Sequence, residues 1–292
     1  MSLSLPQPFP IGSILLKTYR SLFDNFGYAV RISWAWILVV TSVRIGADLI
    51  RTALLTTETG QSLVSWNLTF VIGWFLFIPL ASIAVAWHRL LLTGERDSSI
   101  IYLRLDRLVW SYFWLAAVVY VIALAPILVP WALGSIAKLV VAIFGGSTEG
   151  KSAMEVLLTP AGSAAIPVLQ TAAVIIFLAL TARLAVVLPG KALGIPDLSI
   201  RKAWDATSGN TFNLLMGMFG CFIPFLVLIS WVRGMGFNYS AADGPMLHVA
   251  DWLFVETMAA LFSLIQIGYL SYCFQYFFPD QCGDQTVEAV PA

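Results

Sequence analysis

Acids and amides inside the apolar stretches of this chain are the residues whose chemistry needs explaining first. Glu256 lies in the last apolar stretch, followed at spacings of seven, three and seven residues by Ser263, Gln266 and Cys273. Side chains at these spacings share one face of a helix, and an acid inside a membrane costs about 2.5 to 3.5 kcal/mol, so this face should point into a bundle. With Gln170 as a neighbour, the face predicts either a buried hydrogen-bond network or a proton or substrate site.

Cations near the ends of apolar stretches form a second group of candidates. Arg183 precedes a proline and a glycine that should end a helix beside Lys191. Two cations at a helix end can hold a lipid phosphate or an inter-helix carboxylate, and the alternative is that Arg183 extends its side chain to the membrane surface. The residues predicted to bind lipid or a partner protein are Lys17, Arg20, Arg89, Arg183, Lys191, Arg201 and Lys202.

Two further groups have simpler interpretations. Arg44 and Asp48 are four residues apart, which lets them pair on one helix face near the outer surface. His88 and Arg89 end an apolar stretch, where a histidine is expected to be an interfacial anchor, with an enzyme that acts on lipid as the alternative. The sequence contains neither a His-Glu-x-x-His nor a Gly-x-Ser-x-Gly motif. We therefore expect no enzyme activity, no cofactor and no metal.

The composition indicates the solvent in which the chain folds. Of its 292 residues, 59% are hydrophobic and 11% are charged, compared with about 45 to 50% and about 25% in soluble globular proteins. The 16 basic and 16 acidic residues cancel, so no overall field recruits nucleic acid. We expect an integral membrane protein whose cysteines, Cys221, Cys273 and Cys282, are free thiols.

Six stretches nearly free of charge predict six transmembrane helices in an all-α, multi-pass membrane protein. A helix needs about 20 apolar residues to cross about 30 Å of hydrocarbon. The third stretch is longer than that and contains Pro126 and Pro130, so it is expected to tilt, to kink or to continue as an interfacial helix through Phe144. We expect one membrane domain, 1–279, and a disordered acidic tail, 280–292. The predicted helices are residues 27–50, 64–88, 108–137, 161–188, 210–232 and 252–277.

Lys and Arg are unequally distributed between the two sides of these helices. Positive charge is retained preferentially in the cytoplasm, so the side with the excess, which includes both termini, is predicted to be cytoplasmic in a cell inner membrane. No cleavable signal is expected, because the first apolar stretch has full membrane length. The eleven residues on this side are Lys17, Arg20, Arg31, Arg89, Arg96, Arg104, Arg107, Arg183, Lys191, Arg201 and Lys202. The five on the other side are Arg44, Arg51, Lys138, Lys151 and Arg233.

Short amphipathic helices are predicted at the cytoplasmic surface. Residues 11–26 and 200–212 both carry apolar and basic residues at helical spacing, and 102–110 is a weaker version. One interpretation is a repeated unit, in which an interfacial helix is followed by a transmembrane hairpin, and which occurs three times in the chain. The other interpretation is that any point where a chain enters a membrane favours a cation, an aromatic ring and an Asn cap. The residues matched at equal offsets are Lys17, Tyr19 and Asn25 in the first copy and Lys202, Trp204 and Asn210 in the second.

Several short motifs carry a resemblance to a known group of proteins. They are residues 9–15 with the aromatic residues that follow, the tripeptide 87–89, and residues 183–194 followed by Ala203 and Trp204. Over most of its length the chain resembles a loose group of bacterial six-helix membrane proteins. That group includes the membrane domain found beside some glycerophosphoryl diester phosphodiesterases and the Yip1-like proteins. The resemblance implies an inner-membrane protein without catalytic residues to transfer, and no phosphodiesterase activity, because the sequence has no counterpart of the soluble domain.

The position of the distinctive residues predicts a function. They lie at the cytoplasmic surface, and the loops are too short for a separate soluble domain. This predicts an organising, assembly or accessory component that binds anionic lipid or a membrane partner complex. The alternative is a small transporter or channel with a polar path around Glu256 and Arg183. The oligomeric state stays open, because Gly217 and Gly220 allow close helix contacts within a chain or between chains.

Overall fold

Helices form most of the described part of the chain, and no strand occurs in that part. The computed structural model of the protein describes residues 9–54, 58–144, 160–196, 198–234 and 245–281. Short 3-10 turns occur at Ala185–Val187 and Pro279–Gln281. The α-helices are α1 (Ile11–Asp24), α2 (Phe26–Leu54), α3 (Glu58–Thr93), α4 (Arg107–Phe144), α5 (Pro160–Leu184), α6 (Leu188–Ala192), α7 (Ile200–Ala206), α8 (Thr211–Gly234) and α9 (Pro245–Phe277).

Six helical segments within the described residues are long and apolar enough to cross a membrane, which confirms the all-α, multi-pass class. The third predicted stretch lies within α4, a single helix of 38 residues that continues to Phe144, which is one of the three outcomes expected for it. At 1.5 Å per residue α4 is about 57 Å long, so it extends beyond about 30 Å of hydrocarbon. The segments are Phe26–Ile50, Gly73–Thr93, Arg107–Leu128, Val168–Ala192, Thr211–Gly234 and Val249–Phe277.

The last helix, α9, packs against more of the described elements than any other helix. It packs against α1, α2, α3 and α8, while α4 packs against α3 and α5. The ring centroids of His88 and Tyr112 are 5.8 Å apart, and those of Phe77 and Tyr120 are 5.3 Å apart, so α3 and α4 are antiparallel. Large side chains that are completely buried, such as Trp87 of α3, lie near the C-terminal ends of α3 and α9.

The C-terminal ends of α3 and α9 lie with α1 and α6 at one end of the bundle, and α7 lies at the same end against the C-terminal end of α5. Phe9 stacks on Phe277 with a centroid separation of 5.5 Å, which places the start of α1 at the end of α9. A Cβ added at Gly190 of α6 would lie 3.0 Å from the ring of Phe274. Because exposed cations of α1 and α7 lie here, we refer to it as the basic end, and to the opposite end as the far end.

Two of the three predicted repeat segments are helical, and the third is not. α1 and α7 fall within them, and the carbonyls of Asn25 and Asn210 accept the first backbone hydrogen bonds of α2 and α8. Residues 94–106 contain no helix, so the helix predicted over 102–110 is wrong for residues 102–106, and α4 begins at Arg107. The physical reason is that residues 101–106 alternate between aliphatic side chains and polar or aromatic ones, which is the period of extended chain.

Two glycines mark the closest helix contacts, and both contacts lie within one chain. A Cβ added at Gly217 of α8 would lie 2.1 Å from the hydroxyl oxygen of Tyr269 in α9. A Cβ added at Gly220 would lie 2.6 Å from the side chain of Leu15 in α1. The Tyr269 hydroxyl donates to the carbonyl of Leu214 at 3.1 Å, which fixes the ring against α8.

Candidate functional site

Helix α1 divides its surface into three sectors. Leu16 and Phe23, seven residues apart on one face, are 70% and 72% exposed. The face that is buried in the bundle consists of Ile14, Thr18, Ser21 and Leu22. The charged face consists of Lys17, Arg20 and Asp24. A helix that lies flat at a membrane surface divides in this way, with one sector on protein, one in lipid and one in water.

The two cations of α1 differ in their surroundings. The Lys17 ammonium lies 4.6 Å from the ring centroid of Tyr272, and burial lowers the pKa of Lys17. Arg20 is exposed and lies 3.5 Å from the carboxylate of Asp24, four residues later. An exposed pair of this kind contributes little stability, so an incoming phosphate can replace Asp24 as the partner of Arg20.

Arg89, near the end of α3, and Arg96, in the turn after it, join neighbouring elements. The Nε of Arg89 donates to Glu95 at 2.8 Å. Gly94 between them has a φ of +72°, the left-handed conformation that commonly ends a helix. A terminal nitrogen of Arg96 donates to the side chain of Asn25, just before α2, at 2.7 Å. Arg89, a predicted lipid contact, is therefore partly covered by its own loop.

Arg183 fixes α7 to the end of α5. Its guanidinium carbon lies 3.4 Å from the ring centroid of Trp204. Its Nε donates to the Thr207 hydroxyl at 3.2 Å, and a terminal nitrogen donates to the Trp204 carbonyl at 2.5 Å. The sequence predicts a lipid phosphate, an inter-helix carboxylate or a snorkelling side chain here, whereas the contacts of Arg183 in the structure position the short helix α7.

The remaining predicted lipid or partner contacts lie on α6 and α7. Lys191 is partly buried in α6, whereas Arg201 and Lys202 are exposed in the first turn of α7. The Ser199 hydroxyl caps this helix by accepting the backbone N–H of Lys202 at 3.2 Å. Trp204 is 38% exposed, so α7 presents two cations beside an aromatic ring, a combination common at membrane surfaces.

Glu256 forms an ion pair with Arg44 between α9 and α2. Its side chain is almost completely buried. Arg44 also lies 5.1 Å from the ring centroid of Trp252, whose indole N–H donates to Asp48 at 3.1 Å. The polar face of α9 and the charges of α2 therefore form one cluster, which the sequence did not reveal because it does not say that α2 and α9 are neighbours.

Other residues of the predicted polar path contact different elements. The side-chain amide of Gln266 donates to the Met218 carbonyl in α8 at 3.3 Å. Ser263 donates to the Ala259 carbonyl of its own helix at 2.8 Å, and Gln170 is exposed on α5. The contacts of Glu256, Gln266 and Arg183 thus go to α2, α8 and α7, and not to a common cavity.

His88 connects three helices. Its side chain is completely buried, with Nδ1 2.8 Å from the Ser271 hydroxyl in α9 and Nε2 3.2 Å from the Tyr112 hydroxyl in α4. The Ser271 hydroxyl uses its one hydrogen to donate to the Ile267 carbonyl at 3.0 Å, so it accepts a hydrogen bond from the Nδ1–H of His88. The other ring nitrogen, Nε2, then accepts a hydrogen bond from the Tyr112 hydroxyl. The predicted interfacial anchor is therefore wrong, and both ring nitrogens are occupied by protein partners.

An apolar cleft of about 300 Å³ opens between α2 and α9. Residues that line it include Phe26, Val30, Trp34, Leu38 and Leu261. The hydroxyl groups of Ser33 and Thr257 in its lining donate to carbonyls of their own helices. The rest of the lining is apolar, which suits lipid chains.

Thiols and acids show no arrangement for a metal in the described part of the chain. No three His, Cys, Asp or Glu side chains come together there as metal ligands would. Cys221 and Cys273 are buried free thiols, as expected, and Cys282 lies outside the described residues.

The chain matches no protein-family model, no curated protein and no solved structure.

Residues 145–152 have the spacing Gly-x-x-x-x-Gly-Lys-Ser of a phosphate-binding loop. They lie outside the described residues. Such a loop normally follows a β-strand, whereas here the 38-residue helix α4 ends at the preceding residue, Phe144. The match therefore supports no functional conclusion.

Proposed function

We propose that the protein is a non-enzymatic integral membrane protein that organises or assists other membrane components through its basic end. Its ligand is anionic lipid or a membrane partner complex. The observation that supports this most directly is the surface of α1, which presents exposed apolar Leu16 and Phe23 beside the exposed cations Lys17 and Arg20. The exposed cations that make the contact in this proposal are Lys17, Arg20, Arg201 and Lys202. Of the other predicted contacts, Arg89 pairs with Glu95, Arg183 holds α7, and Lys191 is partly buried.

Electrostatics and burial act together at this surface. Each Lys or Arg near an anionic leaflet contributes about 1 kcal/mol of attraction. Leu16 and Phe23 add the favourable transfer of apolar surface out of water. Arg183 contributes by holding α7, so that Arg201 and Lys202 stay at the same surface.

The same proposal includes an orientation, with the basic end at the cytoplasmic face of a bacterial inner membrane. The excess of Lys and Arg in the loops of this end supports it. The cytoplasmic leaflet carries a negative surface potential, which suits the exposed cations of α1 and α7.

A transporter or channel has less support. Glu256 pairs with Arg44 of α2, and Arg183 bonds to α7, so the residues proposed for a polar path contact different parts of the bundle.

Lipid retention on gentle extraction tests the proposal. The protein is purified from membranes of known composition, and the retained phospholipids are quantified by mass spectrometry. The quadruple variant Lys17→Gln, Arg20→Gln, Arg201→Gln, Lys202→Gln should lose the enrichment of anionic over zwitterionic lipid by at least about fivefold, because even one charge contributes about 1 kcal/mol, or about fivefold in affinity.

A charge-preserving variant is the matched control. Lys17→Arg, Arg20→Lys, Arg201→Lys, Lys202→Arg keeps four cations at the same positions and should retain anionic lipid as the unmodified protein does. Lipid in membrane proportions on the unmodified protein, with no partner in stoichiometric amount, would contradict the proposal.

A further inference from the structure

The segment between α3 and α4 runs along the side of the bundle. Residues 97–106 have no helix and no strand, so their backbone groups lack the partners that regular structure provides. Three of their carbonyl groups accept hydrogen bonds from side chains of α2 and α3 instead. The donor and carbonyl pairs are Arg31 with Asp97 at 2.7 Å, Trp34 with Ile100 at 3.1 Å, and Ser82 with Arg104 at 2.8 Å.

These donors lie well inside the apolar spans. Trp34 follows Phe26, the first residue of α2, by eight residues, or about 12 Å. Ser82 is completely buried and precedes Thr93, the last residue of α3, by eleven residues, or about 16 Å. Arg89, which forms an ion pair with the loop, is seven residues nearer to that end, so Ser82 lies about 10 Å deeper than this polar surface.

The segment has a polar inner face and an apolar outer face. Tyr102 is buried against the protein, and Asp106 accepts both the Arg104 side chain at 2.5 Å and the backbone N–H of Val109 in α4 at 3.0 Å. Alternate residues of an extended chain point to opposite sides, which puts the aliphatic residues outside. The exposed residues are Ile100 (79%), Ile101 (58%), Leu103 (45%) and Leu105 (47%).

We propose that residues 100–105 form a re-entrant interfacial segment whose outer face, Ile101, Leu103 and Leu105, inserts into the acyl chains of the leaflet at the basic end. Irregular backbone at membrane depth persists only where protein groups satisfy it, and the donors of α2 and α3 do so at three carbonyls. Exposed Arg96 and Arg107 flank the segment, where lipid phosphates lie.

The insertion adds a second lipid contact to the basic end. It rests on the proposed membrane embedding of the bundle and is independent of any preference for anionic lipid. A failure of the lipid-retention test would leave it standing, and a failure of the test below would leave the retention result standing.

Spin labels on single cysteines test the insertion directly. Ile101→Cys, Leu103→Cys and Leu105→Cys are made in a Cys282→Ser background, in which the remaining thiols, Cys221 and Cys273, are completely buried. Each variant is labelled and reconstituted into phosphatidylcholine vesicles with phosphatidylglycerol. Power saturation then compares collisions with oxygen, which concentrates in acyl chains, and with a nickel chelate, which stays in water.

The expected result is that oxygen exceeds the chelate at all three outer positions. A label at Glu95→Cys, exposed in the same loop, is the matched control and should show the reverse order. Chelate access at 101, 103 and 105 equal to that at 95 would overturn the proposal. Protection from both reagents would also overturn it, because that result indicates cover by protein.

A second variant tests how the segment is held. Trp34→Phe removes the indole donor to the Ile100 carbonyl and keeps an aromatic ring. In this variant, the label at position 101 should collide more with the nickel chelate than with oxygen, as the label at position 95 does. Trp114→Phe, a change in a 62% exposed ring of α4, is the control and should leave position 101 unchanged.

Discussion

At the scale of single residues, the buried polar side chains act mainly as connections between helices. His88 bonds to α4 and α9, and Arg44 and Glu256 join α2 to α9. The sequence identified each of these residues as unusual for an apolar stretch. It could not identify their partners, because hydrogen-bond partners such as Ser271 are common residue types and lie 183 positions away.

Replacing His88 with Ala should lower the free energy of unfolding by about 2 to 4 kcal/mol. The change leaves a cavity and removes a bond from both Ser271 and Tyr112. Tyr112→Phe, which removes one bond and keeps the ring, should cost about 1 kcal/mol or less. Unfolding in mixtures of mild detergent and dodecyl sulfate, followed by circular dichroism, measures both variants. A His88→Ala protein as stable as the unmodified one would exclude a stabilising role for the connection.

Glu256→Ala should destabilise the bundle by about 3 kcal/mol, because it leaves the Arg44 guanidinium unpaired between α2 and α9. The double variant Arg44→Met, Glu256→Leu removes both charges and their desolvation cost, so it should be more stable than Glu256→Ala. The same unfolding assay compares the two proteins. If the double variant is less stable than Glu256→Ala, the expectation is contradicted, and the ion pair stabilises the bundle through more than the neutralisation of one buried charge by the other.

The turn at Asp97 should loosen in acid. Hydrogen bonds from the Ser99 hydroxyl and then the Ser99 backbone N–H lower the pKa of the Asp97 carboxyl. Because the folded pKa lies below the unfolded one, the ionised group stabilises the turn above about pH 4, and this stabilisation is lost as the pH falls through the lowered pKa. The protection factor of the Ser99 amide in hydrogen exchange should fall over that window. Asp97→Ala should show no such step, and an identical step in that variant would assign it to another group.

At the scale of elements, the sequence predicted the helices well and one connection badly. Apolar length determines the spans, because lipid satisfies no backbone group and only helices of about 20 residues cross it. The predicted helix over 102–110 rests on Arg104 and Arg107, which resemble the basic residues of α1. Their alternation, with Tyr102 buried between exposed Ile101 and Leu103, is the stronger signal and predicts the extended chain that the structure shows.

The contact between α8 and α9 should depend on Gly217. A Cβ at this position would lie 2.1 Å from the hydroxyl oxygen of Tyr269, a side chain that is completely buried. Gly217→Ala should therefore lower the free energy of unfolding by about 1 to 3 kcal/mol. Gly46→Ala in α2, where no atom lies within 4 Å, is the control and should be neutral or stabilising by up to about 1 kcal/mol. Thermal unfolding in detergent measures both, and equal midpoints would contradict tight packing of α8 on α9.

At the scale of the whole molecule, composition was sufficient to predict an all-α, multi-pass membrane protein and insufficient to predict which helices pack together. The six spans and the free thiols of Cys221 and Cys273 followed from composition and charge. The packing of α9 against α1, α2, α3 and α8 did not, because the apolar surfaces of the spans carry little information about which neighbour each one takes. The candidate site was predicted in part: Arg201 and Lys202 are exposed as a ligand site requires, whereas Arg183 is engaged with Trp204.

The orientation of the bundle is the claim on which the proposed function depends, and cysteine labelling in intact cells tests it most directly. In the Cys282→Ser background, single cysteines at Arg20, Glu95 and Lys202 report the basic end, and one at Met246, which is 86% exposed at the start of α9, reports the far end. With a membrane-impermeant maleimide, the account expects labelling at 246 in intact cells and at 20, 95 and 202 only after permeabilisation. Labelling of any basic-end position in intact cells, or protection of 246, would contradict it.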